Sequence, residues 1–497
     1  MTAFMPHLPA LLVVIPLFGA LLAGLLRRGS QAFGLALIVN WVLPILAIAL
    51  MAQVMETGPV SYRMGGWDSH WGIEYRVDLL NAFILVLVTS VGAVIMPFAR
   101  RSVAHEVEGH RQAWFYCMYL LSLTGLLGMT VTGDAFNVFV FMEISSLSTY
   151  VLIALGQDRR ALLSAYQYLI VGTIGATFYV IGVGLLYLVT GTLNMVDLAA
   201  RLGPAAADQS RAILTALAFL TVGISLKLAL FPLSAWLPGA YATAPSVVTT
   251  FLSATATKVA IYLLIRYFFV IAGPAVDFLA SPASHVIIAL SLISIFVAST
   301  IALFRTDLKR MLAYSSLAQI GYIILGIGLA NQAALTGGIV HLANHAIAKA
   351  ALFMAVGCIV YRTRTLRLSE LAGIGRRMPL TMTAFTVAGF GLIGAPGTVG
   401  FISKWYLVMG ALDAGSPVLA ILIVASSVLT FAYIGHVMEI AWFRPASAHV
   451  QNASDPPASM LIPLLALAVA TVWFGLDASM TAGIANQIAE SLLGGMR

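Results

Sequence analysis

Ile224-Ser-Leu-Lys227-Leu-Ala-Leu-Phe-Pro232-Leu-Ser-Ala-Trp-Leu-Pro238 sets a lysine inside an apolar run and a proline five residues beyond it. Pro232 has no N–H to offer the carbonyl of Leu228, so a helix carrying Lys227 is expected to break one residue past the charge. In lipid, such unpaired backbone is tolerated only where protein or water covers it. The stretch therefore reads as a discontinuous membrane helix with an ionisable group at the break, and Pro238 as a second break marker.

Around this stretch, the same apolar character covers nearly the whole chain. Of 497 residues 61% are apolar and 9% charged, and the mean hydropathy is +0.98. Soluble domains carry about 25% charged residues, so the solvent for most of this chain is lipid. The first apolar run, Leu8 to Leu26, has no small-residue cleavage site after it and is taken as a membrane helix. Cys117 and Cys358 lie in apolar runs and offer neither a disulfide framework nor metal-ligand spacing. The chain carries no nucleotide loop, iron–sulfur spacing or haem pair, so no cofactor and no redox chemistry of its own are expected. The formal charge of +7 does not indicate nucleic acid, because the basic residues do not gather on one soluble face.

Runs long enough to cross ~30 Å of hydrocarbon recur at 8–27, 31–54, 77–98, 112–131, 135–155, 162–190, 212–238, 244–272, 284–304, 312–331, 336–361, 380–411, 416–441 and 459–484. The sizeable polar insertions are 56–76, 191–211, 362–379 and 444–457. The expected fold is all-α and integral to the membrane, with about fourteen transmembrane helices. Arginine supports this count. Arg27, Arg28, Arg100, Arg101, Arg111, Arg159, Arg160, Arg305, Arg310, Arg362, Arg364, Arg367, Arg376, Arg377 and Arg444, with Lys309, all fall on one side. Arg63, Arg76, Arg201, Arg211, Arg266 and Arg497 fall on the other. By the positive-inside rule the arginine-rich side is cytoplasmic, which puts both termini outside the cell membrane.

Lysine behaves differently. There are five: Lys227, Lys258, Lys309, Lys349 and Lys404. Lys309 reads as a loop residue; the other four sit in or beside apolar spans. Each charge at a helix centre costs ~2.5–3.5 kcal/mol on insertion scales. Lysine can lose its proton when buried, whereas arginine does not. The choice of lysine inside and arginine outside therefore points to titration.

Glu143, followed by Ser145, Ser146, Ser148 and Thr149, is the acidic residue at mid-depth of a span, and Lys227 is its expected partner. A fixed buried ion pair is the bland alternative. Span twelve repeats the broken-helix device in reverse: Gly394-Ala-Pro396-Gly397-Thr-Val-Gly400-Phe-Ile-Ser-Lys404, with the lysine after the break. An inverted repeat would place Lys227 and Lys404 in equivalent half-channels. Between them His341-Leu-Ala-Asn-His345-Ala-Ile-Ala-Lys349 puts three titratable groups on one helical stripe. It reads as a proton relay linking Lys258 to Lys404, with satisfied core histidines as the alternative. A zinc site lacks a third ligand, and histidines at i, i+4 cannot ligate opposite faces of one haem iron. Glu439 is open between an inlet group and a solvated helix end.

Together these motifs resemble the antiporter-like subunits shared by respiratory complex I and multisubunit cation/proton antiporters. The resemblance covers spans four to thirteen. Phe141-Met-Glu-Ile-Ser-Ser-Leu-Ser-Thr-Tyr150 and the Gly-Gly-Trp at 65–67 look most like the D-subunit branch of Mrp-type Na+/H+ antiporters. The resemblance implies two inverted five-helix repeats. The organisation is then an N-terminal segment 1–111, a first repeat 112–272, a second 284–441 and a C-terminal helix 442–497. It also implies assembly with other membrane subunits, transport of protons and of alkali cations such as Na+, and no enzymatic reaction. Glu143 and Lys227 would be a paired switch, Lys258, His341, His345 and Lys349 the central relay, and Lys404 the exit. The rival is the proton-pumping arm of a redox complex, which would use the same buried residues.

Overall fold

The computed structural model describes residues 5–69, 71–273, 275 and 282–494. Among them thirteen helices are long and apolar enough to cross a membrane, from Met5–Leu25 to Ala458–Leu476. Two half-helices, Pro379–Ile393 and Val399–Asp413, make up a further crossing. The chain is an all-α integral membrane protein of about fourteen helices. Its one sheet among the described residues is a small hairpin, Val60–Arg63 against Glu74–Val77.

Short Asx side chains start many of the spans. The carboxylate of Asp78 accepts from the backbone N–H groups of Leu80 and Asn81, and the Asn81 side chain accepts in return from the Asp78 N–H. Asp134, Asn194, Asp307 and Asn331 cap later helices in the same way. Each satisfies backbone donors that a helix end leaves unpaired.

Three crossings are almost wholly buried: Ser246–Ile271, Leu308–Leu329 and Gln332–Thr363. They form the middle of the bundle and carry Lys258, Lys309 and the His341–His345–Lys349 stripe. Gly29–Thr57 and Pro417–Phe443 are far more exposed; their apolar outer faces suit lipid.

Both anticipated discontinuities are present. Met195–Leu228 stops at Ala229, which adopts a left-handed backbone, and the chain resumes as a helix at Trp236–Thr243. Pro232 lies in that link, and the Trp236 indole donates to the freed Leu226 carbonyl at 2.9 Å. In span twelve Pro396 and Gly397 lie in the link between the half-helices. Gly394 there has φ +87, and a Cβ would stand 2.9 Å from Lys404 Cδ, so glycine is required on both counts. The Ala458–Leu476 crossing leans on the same link: a Cβ at Gly475 would collide with the Thr398 backbone.

Several expectations need correction. Pro238 is not a break; it sits within the first turn of Trp236–Thr243, where proline costs no hydrogen bond. The polar insertion 191–211 is mostly helix: a piece starting at Met195 runs to a kink at Gln209 (φ −122, ψ 25), after which the spanning segment continues to Leu228. Span fourteen ends at Leu476, and a separate helix Ser479–Gly494 follows. Lys309 is no loop residue: it lies in the first turn of Leu308–Leu329 and is buried. Arg497 lies outside the described residues.

Candidate functional site

At the first break, Lys227 occupies the last turn of its helix. Its Nζ lies 3.8 Å from Glu143 Oε1 and donates to Ser146 Oγ at 2.6 Å. Glu143 and Ser146 are three residues apart on Ala135–Ala154, so one helix face offers Lys227 both an acid and a hydroxyl. Among the described residues that carboxylate oxygen has no hydrogen-bond partner, and neither has the buried Tyr150 hydroxyl. Gly172 leaves room here, since a Cβ would collide with the Tyr150 hydroxyl. A cavity of ≈ 30 Å³, lined by Ser145, Ser146, Tyr168, Lys227, Ala256 and Ala260 among others, has space for about one water. It joins Lys227 to the helix that carries Lys258.

That helix is itself interrupted, although no proline or glycine marks the place. Ser246–Ala254 and Ala256–Ile265 are separated at Thr255 (φ −124, ψ −57). Lys258 Nζ donates to the Ser253 carbonyl and lies 3.4 Å from Thr257 Oγ1. Ser253, Thr255 and Thr257 are the visible signal, because closely spaced hydroxyls compete for backbone carbonyls.

Along Gln332–Thr363 the three stripe residues are all buried. Lys349 Nζ donates to the Leu312 carbonyl at 2.8 Å and to Ser315 Oγ. The His341 and His345 rings lie parallel with centroids 6.3 Å apart. His341 Nδ1 is 2.8 Å from Ser403 Oγ and its Nε2 is 3.0 Å from Gln319 Oε1. Among the described residues neither ring nitrogen of His345 has a hydrogen-bond partner, nor have Asn344 Oδ1 and Gln319 Nε2. Each such orphan costs roughly 1–3 kcal/mol when dry. Four of them around one stripe make a place suited to water. Satisfied core histidine, the bland alternative, describes His341 but not His345.

Beyond Ser403 comes Lys404. Its Nζ donates to the Ile393 carbonyl at 2.8 Å, freed by the helix break, and to Ser427 Oγ at 2.9 Å. It also stands 4.7 Å over the Tyr322 ring, whose hydroxyl bonds Ser426. No carboxylate pairs with Lys404 among the described residues. Glu439 is a solvated helix end, half-exposed and paired with Arg444 at 2.8 Å. No three His, Cys, Asp or Glu among the described residues form a group fit for a metal ion.

The structure thus brings Glu143 to Lys227 and His341 to the residue beside Lys404. Of the residues that tie the line together, Ser146 falls in the hydroxyl cluster after Glu143, and Gln319 carries a signal as a carboxamide in an otherwise apolar span. Ser315, Tyr322, Ser403 and Ser427 do not stand out, since hydroxyls are frequent in membrane helices.

Comparison with known proteins bears on this arrangement. The family described as "NADH:quinone oxidoreductase/Mrp antiporter, TM" matches residues 132–430. The N subunit of NADH-quinone oxidoreductase from Desulforudis audaxviator is 42% identical over 488 residues, which cover 95% of this chain and 96% of that one. The D subunit of the Na+/H+ antiporter from Alkalihalophilus pseudofirmus is 29% identical, covering 90% of this chain and 89% of that one. Among solved structures, a chain of the Mrp complex from Dietzia sp. DQ12-45-1b superposes with a TM-score of 0.89 at 26% identity, covering 99% and 98% of the two chains. A chain of the membrane-bound sulfane sulfur reductase, an archaeal respiratory membrane complex, gives 0.90 at 29%, covering 98% of each.

Proposed function

Because the chain belongs to the NADH:quinone oxidoreductase/Mrp antiporter transmembrane family, we propose that it moves protons along Glu143, Lys227, Lys258, Lys349, His345, His341 and Lys404 as one membrane component of a larger complex. The observation that carries this reading is the orphaned polar stripe at His345, set between buried lysines. Two inverted units, 112–272 and 284–441, each contribute a proline-broken helix that carries a lysine, flanked by 1–111 and 442–497. A proton reaching Lys258 or Lys349 makes a second cation nearby expensive, because like charges repel strongly in a low-dielectric interior. Lys227 holds its charge against Glu143. Lys404, which leans on a carbonyl, a hydroxyl and a ring, has no acid to hold it among the described residues and is the group that discharges. His341 and His345 shuttle between them as donors and acceptors through water. The arginine-rich side faces the cytoplasm, and both termini face outward.

The partner complex is read from identity. The 42% likeness to an N-subunit relative favours the membrane arm of a redox-driven pump. A multisubunit Na+/H+ antiporter is the second reading, favoured by antiporter relatives at 26–31%. One experiment tests both levels. Everted vesicles containing the whole complex are assayed for pH-gradient formation with an electron donor, and for cation-dependent dissipation without one. Lys227→Ala is compared with wild type and with Glu490→Gln, a control at an exposed position. Loss of transport in Lys227→Ala alone, with normal assembly, is the expected result, and normal transport by that variant would overturn the pathway. Donor-dependent acidification selects the redox arm; Na+-dependent dissipation selects the antiporter.

A further inference from the structure

The fifth lysine is as buried as the other four and has no place in the line described above. Lys309 is 4% exposed, and its Nζ donates to the Ala244 carbonyl at 2.5 Å. That carbonyl belongs to the short link between the Trp236–Thr243 and Ser246–Ala254 helices. Glu106 and Asp307 are the carboxylates whose charges act on Lys309. Glu106 lies on the other side of the same link: its Oε2 accepts from the Ser246 N–H at 2.9 Å and from Ser246 Oγ at 3.0 Å, and Ser102 Oγ bonds its Oε1 at 2.6 Å.

Both side chains line a polar vestibule of ≈ 490 Å³ on the arginine-rich side. Its other ionisable lining groups are His105, Asp158 and Arg364. From the vestibule floor a line of hydroxyls leads inward along Ser246–Ala254. Ser246 bonds Glu106, Thr250 Oγ1 donates to the Ser246 carbonyl at 2.8 Å, and Ser253 Oγ donates to the Thr250 carbonyl at 3.1 Å. Ser253 in turn supplies the carbonyl that Lys258 holds. Positions 246, 250 and 253 are spaced i, i+4, i+7 and share one helix face.

We propose that Glu106 and Lys309 are the loading pair of a proton inlet whose hydroxyl line delivers to Lys258. This rests on the proton-transport reading above. Glu106 takes a proton from vestibule water and passes it to water beside Ser246. Transfer proceeds between hydroxyls through such waters, because a backbone carbonyl accepts a hydrogen bond but passes no proton on. Lys309, fixed on the Ala244 carbonyl, positions the link and sets its charge where it acts on Glu106. Glu106 is thus the transferring group and Lys309 a positioning residue.

The test is transport by the whole complex in everted vesicles, measured from about pH 6 to 9, for wild type, Glu106→Gln, Glu106→Asp, Lys309→Met and Lys227→Ala. Glu106→Gln should slow transport by about tenfold or more at unchanged complex yield, and Glu106→Asp should restore most of it. Lys309→Met should shift the pH profile of the rate rather than only its height. Wild-type transport by Glu106→Gln alongside a dead Lys227→Ala would overturn the inlet and leave the main pathway standing. Normal transport in both would sink the main pathway as well. Equal rates at every pH for Lys309→Met and wild type would remove Lys309 from the proposal. If Glu106→Gln fails to assemble, Thr250→Val, which removes one inner hydroxyl, takes its place, and an unchanged rate there overturns the line.

Discussion

Two ion pairs in this molecule, each joining a buried cation to a partly buried acid, are built on opposite principles. Arg266 grips Asp78 with two bonds, at 2.6 and 3.0 Å, and adds a third to Asn81 Oδ1 at 2.5 Å. Asn81 then bonds the Thr130 carbonyl and the Tyr262 hydroxyl. Lys227 stands 3.8 Å from Glu143, and the facing oxygen has no hydrogen bond. The first pair ties Leu79–Glu106 to the neighbouring helices through a cation that cannot lose its proton. The second is loose and uses a cation that can. A bidentate pair specifies geometry, whereas a loose lysine pair leaves room for the charge to move. Both arrangements sit in one chain, so burial alone does not mark a transport residue; the choice of base and the quality of its bonds do.

Swapping the bases puts this contrast at most risk. Lys227→Arg should lower transport by about a hundredfold or more in the vesicle assay while the complex still assembles. Arg266→Lys should leave transport per folded complex unchanged. If Lys227→Arg transports normally, titration is not what Lys227 does.

Removing the acid of the tight pair is expected to act on stability instead. Asp78→Asn leaves Arg266 uncompensated, and breaking a buried pair this way costs ~3–5 kcal/mol, to be read from denaturant unfolding in detergent. An unfolding free energy equal to wild type would show that the pair contributes nothing.

A pH dependence should be weaker still. Burial by itself would raise the Asp78 carboxyl, but Arg266 and the backbone N–H groups of Asn81 and Leu80 outweigh it and hold the group below the usual carboxylate range. Its contribution is therefore complete above the unfolded aspartate value of about 3.9 and is lost as pH falls through the lower folded value. Thermal stability measured between about pH 7 and 3 should decline less steeply in Asp78→Asn than in wild type. Parallel curves would mean that Asp78 is not depressed.

Much of this is legible in the sequence because lipid is a demanding solvent. Span positions follow from hydropathy, and the breaks near Lys227 and Lys404 follow from proline chemistry and paired glycines. The break at Thr255 escapes such a reading because no proline or glycine marks it; hydroxyl competition leaves a fainter trace. Lys309 is misplaced for an equally physical reason. Asp307 and Arg310 flank it, so the segment reads as a charged loop, yet Asp307 is an N-cap and the helix begins at Leu308. The turns from Met195 to the kink at Gln209 are too polar to meet a spanning threshold, so the sequence shows only the span that follows them. The motif lysines and histidines can be named from residue type alone. Glu143 can be named as the partner of Lys227, but the partners of Lys349, His341 and Lys404 cannot, since a serine at 315, 403 or 427 looks like any other until the helices are packed.

The contact between Gly475 and the span-twelve link bears on how the protein is made. Each half-helix of 15 residues is about 22 Å long at the α-helical rise, too short to cross the hydrocarbon alone. During synthesis the stretch from Pro379 to Asp413 leaves the ribosome well before Ala458–Leu476 does. Until that later crossing arrives, the link lacks the surface that Gly475 lays against the Thr398 backbone. Truncation before Ala458 would therefore leave Lys404 in an unfinished helix, and a crossing translated after that lysine is the one that completes its surroundings.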